Sequence, residues 1–204
     1  MSQRFVVLVP VKSPGTGKSR LVGVPDRAAL AAAFATDLVR ACLVTDRVDR
    51  VLVTTDDPAF AESLAALGAD TTEDPGAGLN AALRAAAADA RTRWPMLHPV
   101  AVLADIPSLR PTDLAVALTA VDEHHGTACF LADADGTGTV LYAAPAASFA
   151  PRFGPGSAQA HRADGCEEIT GALPSLRRDV DDPASLAAAL DLGVGPATRA
   201  ALAR

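Results

Sequence analysis

Residues 5–11, FVVLVPV, constrain this chain more than any other stretch. An unbroken apolar run has no polar face to show to water, so a strand made from it must be covered on both sides. That is the condition of an inner strand in a mostly parallel sheet with helices on both faces. The segment after it changes character at once. KSPGTGKSRL is rich in Gly, Pro and Ser, and reads as a loop.

The rest of the chain repeats this alternation. Residues 26–45 have a helical period, with Leu30, Phe34, Leu38 and Cys42 on one face. A short strand is expected at 51–54, a helix at 58–67 with Gly68 at its end, and an extended piece at 69–72. The turn EDPGAGLN leads into an alanine-rich helix over 79–91. A third buried strand, 100–104, ends on Asp105, and a helix follows over 112–122. Extended segments at 127–132 and 140–143 flank the turn DADGTGT. A short helix at 157–164, a strand at 176–180 and a helix at 184–190, opened by the DDP turn, complete the pattern. Strands alternating with helices imply a single α/β domain, 1–204, of Rossmann-like form with a mostly parallel sheet.

Composition excludes several functions. The chain is 50% hydrophobic and 21% charged, which rules out global disorder. A net charge of −6 argues against a general nucleic-acid binder. Cys42, Cys129 and Cys166 lack any CxxC spacing, so neither a disulfide framework nor a zinc site is indicated. No apolar stretch reaches the ~18 residues of a membrane span, and no secretory leader opens the chain, so the expected location is the cytoplasm. An apolar, alanine-rich surface favours a homodimer.

The basic residues are the first chemical clue. Lysine occurs only as Lys12 and Lys18, against 16 arginines, and both lysines fall in the loop after the first strand. GTGKS is not a P-loop, because Gly15 and Gly17 stand one residue apart where four are needed between the first glycine and Gly-Lys. A Gly-bearing loop with two lysines can still hold phosphates through backbone N–H groups and point charges. Lys18 and Arg20 are placed to neutralise a triphosphate and its leaving pyrophosphate.

Asp105, at the end of a buried strand, projects into the crevice where such sheets bind ligands. A magnesium ion needs only one or two carboxylates there. Asp179 or Asp181 in RRDVDDP can complete the site, whereas Asp182 before Pro183 reads as a helix cap. DGTGTVL and FGPGSAQAH mix Gly with small hydroxyls, as a small phosphorylated anion requires. Asn80 either reads a base edge or caps its helix. The histidines, His161 among them, carry no recognisable motif, and HExxH and GxSxG are absent.

Taken together, VPVKSPGTGKSRL, ADIPSL, GTGT, RFGPGSAQAH and RRDVDDPASL with LGVGPAT resemble the CofC-type nucleotidyltransferases, in family order along nearly the whole chain. The later motifs are similar to the family's actinobacterial branch, the phosphoenolpyruvate guanylyltransferases of coenzyme F-420 biosynthesis. The resemblance implies a glycosyltransferase-A/MobA-like fold and transfer of GMP from GTP to phosphoenolpyruvate. It implies acceptor-binding Thr139, Gly154 and Ser157, magnesium on Asp105 with Asp179 or Asp181, and nucleotide phosphates on Lys12 and Lys18. The downstream transferase of the pathway is the expected partner protein. Ala104 stands where many relatives have Gly, and Gly156 where some have Asp. Acceptors such as 2-phospho-L-lactate or 3-phosphoglycerate stay open at this level, as do a molybdopterin or sugar-phosphate nucleotidyltransferase and a nucleotide-binding regulatory module without turnover.

Overall fold

The structure is a computed structural model and describes residues 3–12, 26–124 and 126–203. Its centre is the strand that the opening run predicts: β1 (Phe5–Pro10) lies with its core residues fully buried. Phe5, Val7 and Val9 enter the apolar cluster on one face of the sheet, while Val6 and Leu8 enter the cluster on the other. This is the two-sided burial that an unbroken apolar strand requires. β1 pairs in parallel with β2 (Val48–Thr55) on one side and β4 (His98–Val102) on the other. β3 (Asp70–Glu73) extends the parallel half.

β6 (Thr139–Ala143) runs antiparallel between β4 and β5 (Cys129–Ala132), and β7 (Glu167–Glu168) closes the far edge parallel to β5. The seven strands are ordered β3-β2-β1-β4-β6-β5-β7, a mixed and mostly parallel sheet. Strand order turns back between β1 and β4, which is where open α/β sheets form their ligand crevice.

Helices cover both faces. α1 (Arg27–Leu43), α2 (Pro58–Ala65) and α4 (Pro111–Glu123) contribute to one core through residues such as Leu38, Leu64 and Leu114. α3 (Leu79–Arg93) and α5 (Ser157–Ala163) contribute to the other through Leu83, Ala86 and Ala158. The caps follow local chemistry: the Asp26 and Asp57 carboxylates accept from backbone N–H groups of α1 and α2. A third cluster joins Leu30 and Phe34 of α1 to Val180, to Leu186 and Ala189 of α7 (Pro183–Leu192), and to Val194.

Two expectations need correction, and one element was not anticipated. Residues 176–180 form no strand: α6 (Pro174–Arg177) occupies the start, with Pro174 in its first turn. Ser175 donates through its N–H and its hydroxyl to Asp113, which holds the segment on α4 instead of in the sheet. Leu176 and Val180 bury themselves in different clusters. The strand expected at 100–104 ends at Val102, so Asp105 lies beyond it on an irregular connection. The closing segment contains α8 (Pro196–Leu202), which no periodicity announced; it docks on α1 through Asp37, whose carboxylate accepts from the N–H groups of Ala197 and Thr198.

Candidate active site

Past the ends of β1 and β4 lies a cleft of about 220 Å³. Lys12 lines it next to Val11, Asp105 lines it next to Ala104, and Phe34 of α1 and Leu79 of α3 supply apolar wall. Lys12 and Asp105 are its charged lining residues among those described. A cation and an anion facing an otherwise carbon-walled cleft suit a ligand that is part planar and part polyanion.

Backbone ties fix both charges. The Val11 N–H donates to the Thr54 carbonyl at 2.8 Å, carrying β1 one residue further toward Lys12. The Leu103 N–H donates to Val140 O at 3.1 Å, and Ile106, just after Asp105, is fully buried. The carbonyl of Asp105 accepts from the Val180 N–H at 2.9 Å. That bond brings the 179–181 segment alongside Asp105, with Asp179 half-buried and Asp181 exposed on either side of buried Val180. Asp182 is the N-cap of α7, as expected, in a reciprocal capping box with Ser185.

The donor set at this point is carboxylate oxygen. Among the described residues no group of three or more His, Cys, Asp or Glu side chains converges. A protein-only cage of the zinc type does not fit. A hard divalent ion that takes one or two carboxylates and completes its shell with phosphate and water oxygens does fit.

The second half of the site grows from the turn after β5. Asp133 accepts from Thr137 N at 3.0 Å and from Gly138 N at 2.7 Å. A Cβ on Gly138 would stand 3.3 Å from Asp133 Cγ and closer still to its carboxylate oxygen, so a larger residue would have to displace this carboxylate from the turn. The turn delivers Thr139, the first residue of β6. Leu103–Val140 pairing continues the β4–β6 register and sets Thr139 level with Ala104, beside Asp105. The antiparallel course of β6 therefore returns its beginning to the rim where β1 and β4 end.

Gly154 and Ser157 arrive at the same place. The Ser157 N–H donates to Gly154 O at 3.1 Å, and the Ala158 N–H to Thr137 O at 3.2 Å. Gly156, with φ 70°, is the left-handed N-cap of α5, and Ser157 begins that helix. Asn80 neither caps α3, whose N-cap is Gly78, nor stands alone. Its amide accepts from Phe153 N at 2.8 Å and donates to Phe153 O at 2.9 Å. It thus clasps the 150–157 loop to α3, whose Leu79 lines the cleft.

The structure brings Lys12 and Asp105 to the cleft, with the 179–181 segment against Asp105, and gathers Thr139, Gly154 and Ser157 around the 133–138 turn and the start of α5, next to the residues that line the cleft. Lys18 and Arg20 lie outside the described residues. Sequence reasoning missed His161. It is fully buried in α5, its Nδ1 3.0 Å from Thr139 Oγ1 and its Nε2 accepting from Arg152 N at 2.9 Å. The available signal was its spacing, one helical turn after Ser157.

Residues 16–172 match the model of the MobA-like NTP transferase domain. The chain belongs to the MobA-like NTP transferase family. Within this family it is 48% identical to the phosphoenolpyruvate guanylyltransferase of Salinispora arenicola, over 97% of this chain and 93% of that protein. It is 47% identical to the protein of the same name from Thermomonospora curvata, over 97% and 88%. Among solved structures, a putative nucleotide-diphospho-sugar transferase from Desulfovibrio desulfuricans superposes with a TM-score of 0.64 at 20% identity, covering 93% of this chain and 96% of that one. That likeness places the sheet and cleft in the nucleotidyltransferase fold expected from the motifs. No described helix is long and apolar enough to cross a membrane.

Proposed function

We propose that this chain is a guanylyltransferase that moves GMP from GTP to phosphoenolpyruvate, with Mg²⁺ as cofactor, in coenzyme F-420 biosynthesis. The 48% identity over 97% of the chain to a phosphoenolpyruvate guanylyltransferase carries the reading. The two-sided rim supports it, because a transfer between two phosphorylated substrates needs two anion sites next to each other.

The chemistry asks little of acid–base groups. An oxygen of the acceptor phosphate attacks the α-phosphorus of GTP, the new P–O–P link forms, and the bond to the β-phosphate breaks to release pyrophosphate. The products are enolpyruvoyl-2-diphospho-5′-guanosine and pyrophosphate. The nucleophile is already an anion, so no general base is required. The task is to hold two polyanions in line.

In this reading Lys12 and Lys18 bind the nucleotide phosphates, and Arg20 faces the leaving pyrophosphate. Asp105 holds the metal with Asp179 or Asp181; bound there, the divalent ion supplies charge neutralisation between the substrates. Burial favours Asp179 as the partner, since its half-shielded carboxylate loses less freedom on ligation than exposed Asp181. Asn80 contacts the nucleotide with the N–H and lone pair its clasp on Phe153 leaves over. Thr139, Gly154 and Ser157 receive the acceptor. The downstream transferase of the pathway consumes the product.

Mass spectrometry tests the assignment. The purified protein is incubated with Mg²⁺ and GTP and, in parallel, phosphoenolpyruvate, 2-phospho-L-lactate or 3-phosphoglycerate. A guanylylated product in the phosphoenolpyruvate tube is expected. Product only in another tube replaces the acceptor, and no product in any tube rejects the activity.

A further inference from the structure

The imidazole of His161 is fully shielded from solvent. It lies between the rings of Phe130 and Tyr142, with centroids 5.3 and 4.9 Å away and planes within 27° and 24°, and Phe153 meets it edge-on at 5.9 Å. Three polar contacts reach the ring in this aromatic slot. Arg152 N–H meets Nε2 at 2.9 Å, Thr139 Oγ1 meets Nδ1 at 3.0 Å, and the Ser157 carbonyl also bears on the ring. These three partners belong to the three pieces of chain that make the acceptor side of the rim.

The hydrogen-bond directions follow from one of them. A backbone N–H can only donate, so Nε2 carries no proton. Desolvation lowers the ring's pKa to about 4, against the opposing pull of the Asp164 carboxylate and in the same sense as the Arg152 guanidinium. The ring is neutral near pH 7, and its one proton sits on Nδ1. Thr139 Oγ1 and the Ser157 carbonyl both face this one proton, so Oγ1 can accept from the ring but cannot donate to it. Its own hydroxyl proton points elsewhere, and among the described residues no hydrogen bond takes it up.

We propose that His161 is a positioning residue: its Nδ1–H turns the Thr139 hydroxyl into an obligate donor toward an anionic acceptor. This rests on the reading that Thr139, Gly154 and Ser157 bind the phosphorylated substrate. A hydroxyl that can only donate matches a carboxylate or phosphate oxygen and gives nothing to a group that must itself donate.

The test uses two near-isosteric variants and a cycle. In His161→Asn the side-chain NH₂ stands near the Nδ1 position and keeps the donor. In His161→Gln the side-chain oxygen stands near Nε2 and keeps the contact to Arg152 but not the donor. The expected result is an acceptor KM raised ~10-fold or more in His161→Gln, the scale of a lost hydrogen bond to a charged group. The GTP KM and kcat stay within ~3-fold of wild type in both variants, and His161→Asn keeps the acceptor KM. Thr139→Val raises the acceptor KM similarly, and adding His161→Gln to it has no further effect. Equal KM increases in both His161 variants, or additive effects in the double variant, overturn the proposal. Nitrogen-15 NMR of the wild-type ring between pH 6 and 8 provides an independent arm: a bare Nε2 with protonated Nδ1 supports it, and the other tautomer overturns it. If wild type guanylylates a different three-carbon phosphoacid, the acceptor assignment fails but the same KM comparison applies with that substrate. If nothing is guanylylated, the functional reading fails and the ring tautomer decides the geometry alone.

Discussion

Asp105 is held by its neighbours and not by a strand. Buried Ile106 follows it and the Val180 N–H grips its carbonyl, so the backbone that carries the carboxylate is fixed. Asp105→Asn keeps this shape and removes the charge. Turnover should fall at least ~100-fold, the scale of losing one preorganised electrostatic element. Steady-state kinetics on the folded variant checks this, and near-normal turnover would remove the metal role. Ser157→Ala should raise the acceptor KM more than the GTP KM; equal shifts would take Ser157 out of the acceptor site. His161 makes a prediction about stability. The unfolded ring protonates as pH falls through about 6.5, while the folded ring resists until about 4. The unfolded state thus binds more protons across that window, and the ring's effect is to erode stability as pH drops through it. Between pH 7 and pH 5 this removes about 2 kcal/mol that His161→Asn does not lose. Urea unfolding at both pH values reads the difference, and an equal loss in the two proteins would mean that the folded ring takes up its proton as the unfolded one does. Lys12 and Asp105 were legible in sequence because each follows an apolar strand that fixes where it emerges. His161 was not, because what makes it special is Phe130 and Tyr142, which come from two other strands.

The elements show the same division. β1, α1 and α3 were readable from period and composition alone, since each buries a face that its own residues define. Segment 176–180 was misread because its fate is decided by Asp113, far away in sequence, which claims Ser175. α8 was missed because its anchor is also remote. Asp37, only 5% exposed in the middle of α1, offers its carboxylate to the first turn of α8. Gly195 makes room for that contact. A Cβ there would stand 2.6 Å from Asp37 Cβ and nearer still to its carboxyl carbon. Gly195→Ala should push the carboxylate off the helix start and cost about 2 kcal/mol, lowering Tm by ~4–8 °C. Calorimetry measures it. An unchanged Tm would show that α8 docks without the Asp37 cap.

For the molecule as a whole, the absence of a convergent three-ligand group among the described residues separates folding from metal binding. The core is apolar on both faces of the sheet and needs no ion to close it. Chelation should therefore abolish transfer while leaving the Tm of the chain alone unchanged. Mg²⁺ should raise Tm only when GTP is present to complete its shell. Thermal scans with and without chelator and nucleotide separate the cases, and a Tm that falls on chelation without GTP would contradict the picture.

The reversed course of β6 has a further consequence. In the proposed reading, one substrate is met where strands finish, and the other where a strand begins. The turn at 133–138 belongs to neither β1 nor β4, which carry the opposite wall. In that reading, acceptor choice and nucleotide choice rest on separate stretches of chain, so substitutions at the turn would alter the one and leave the other.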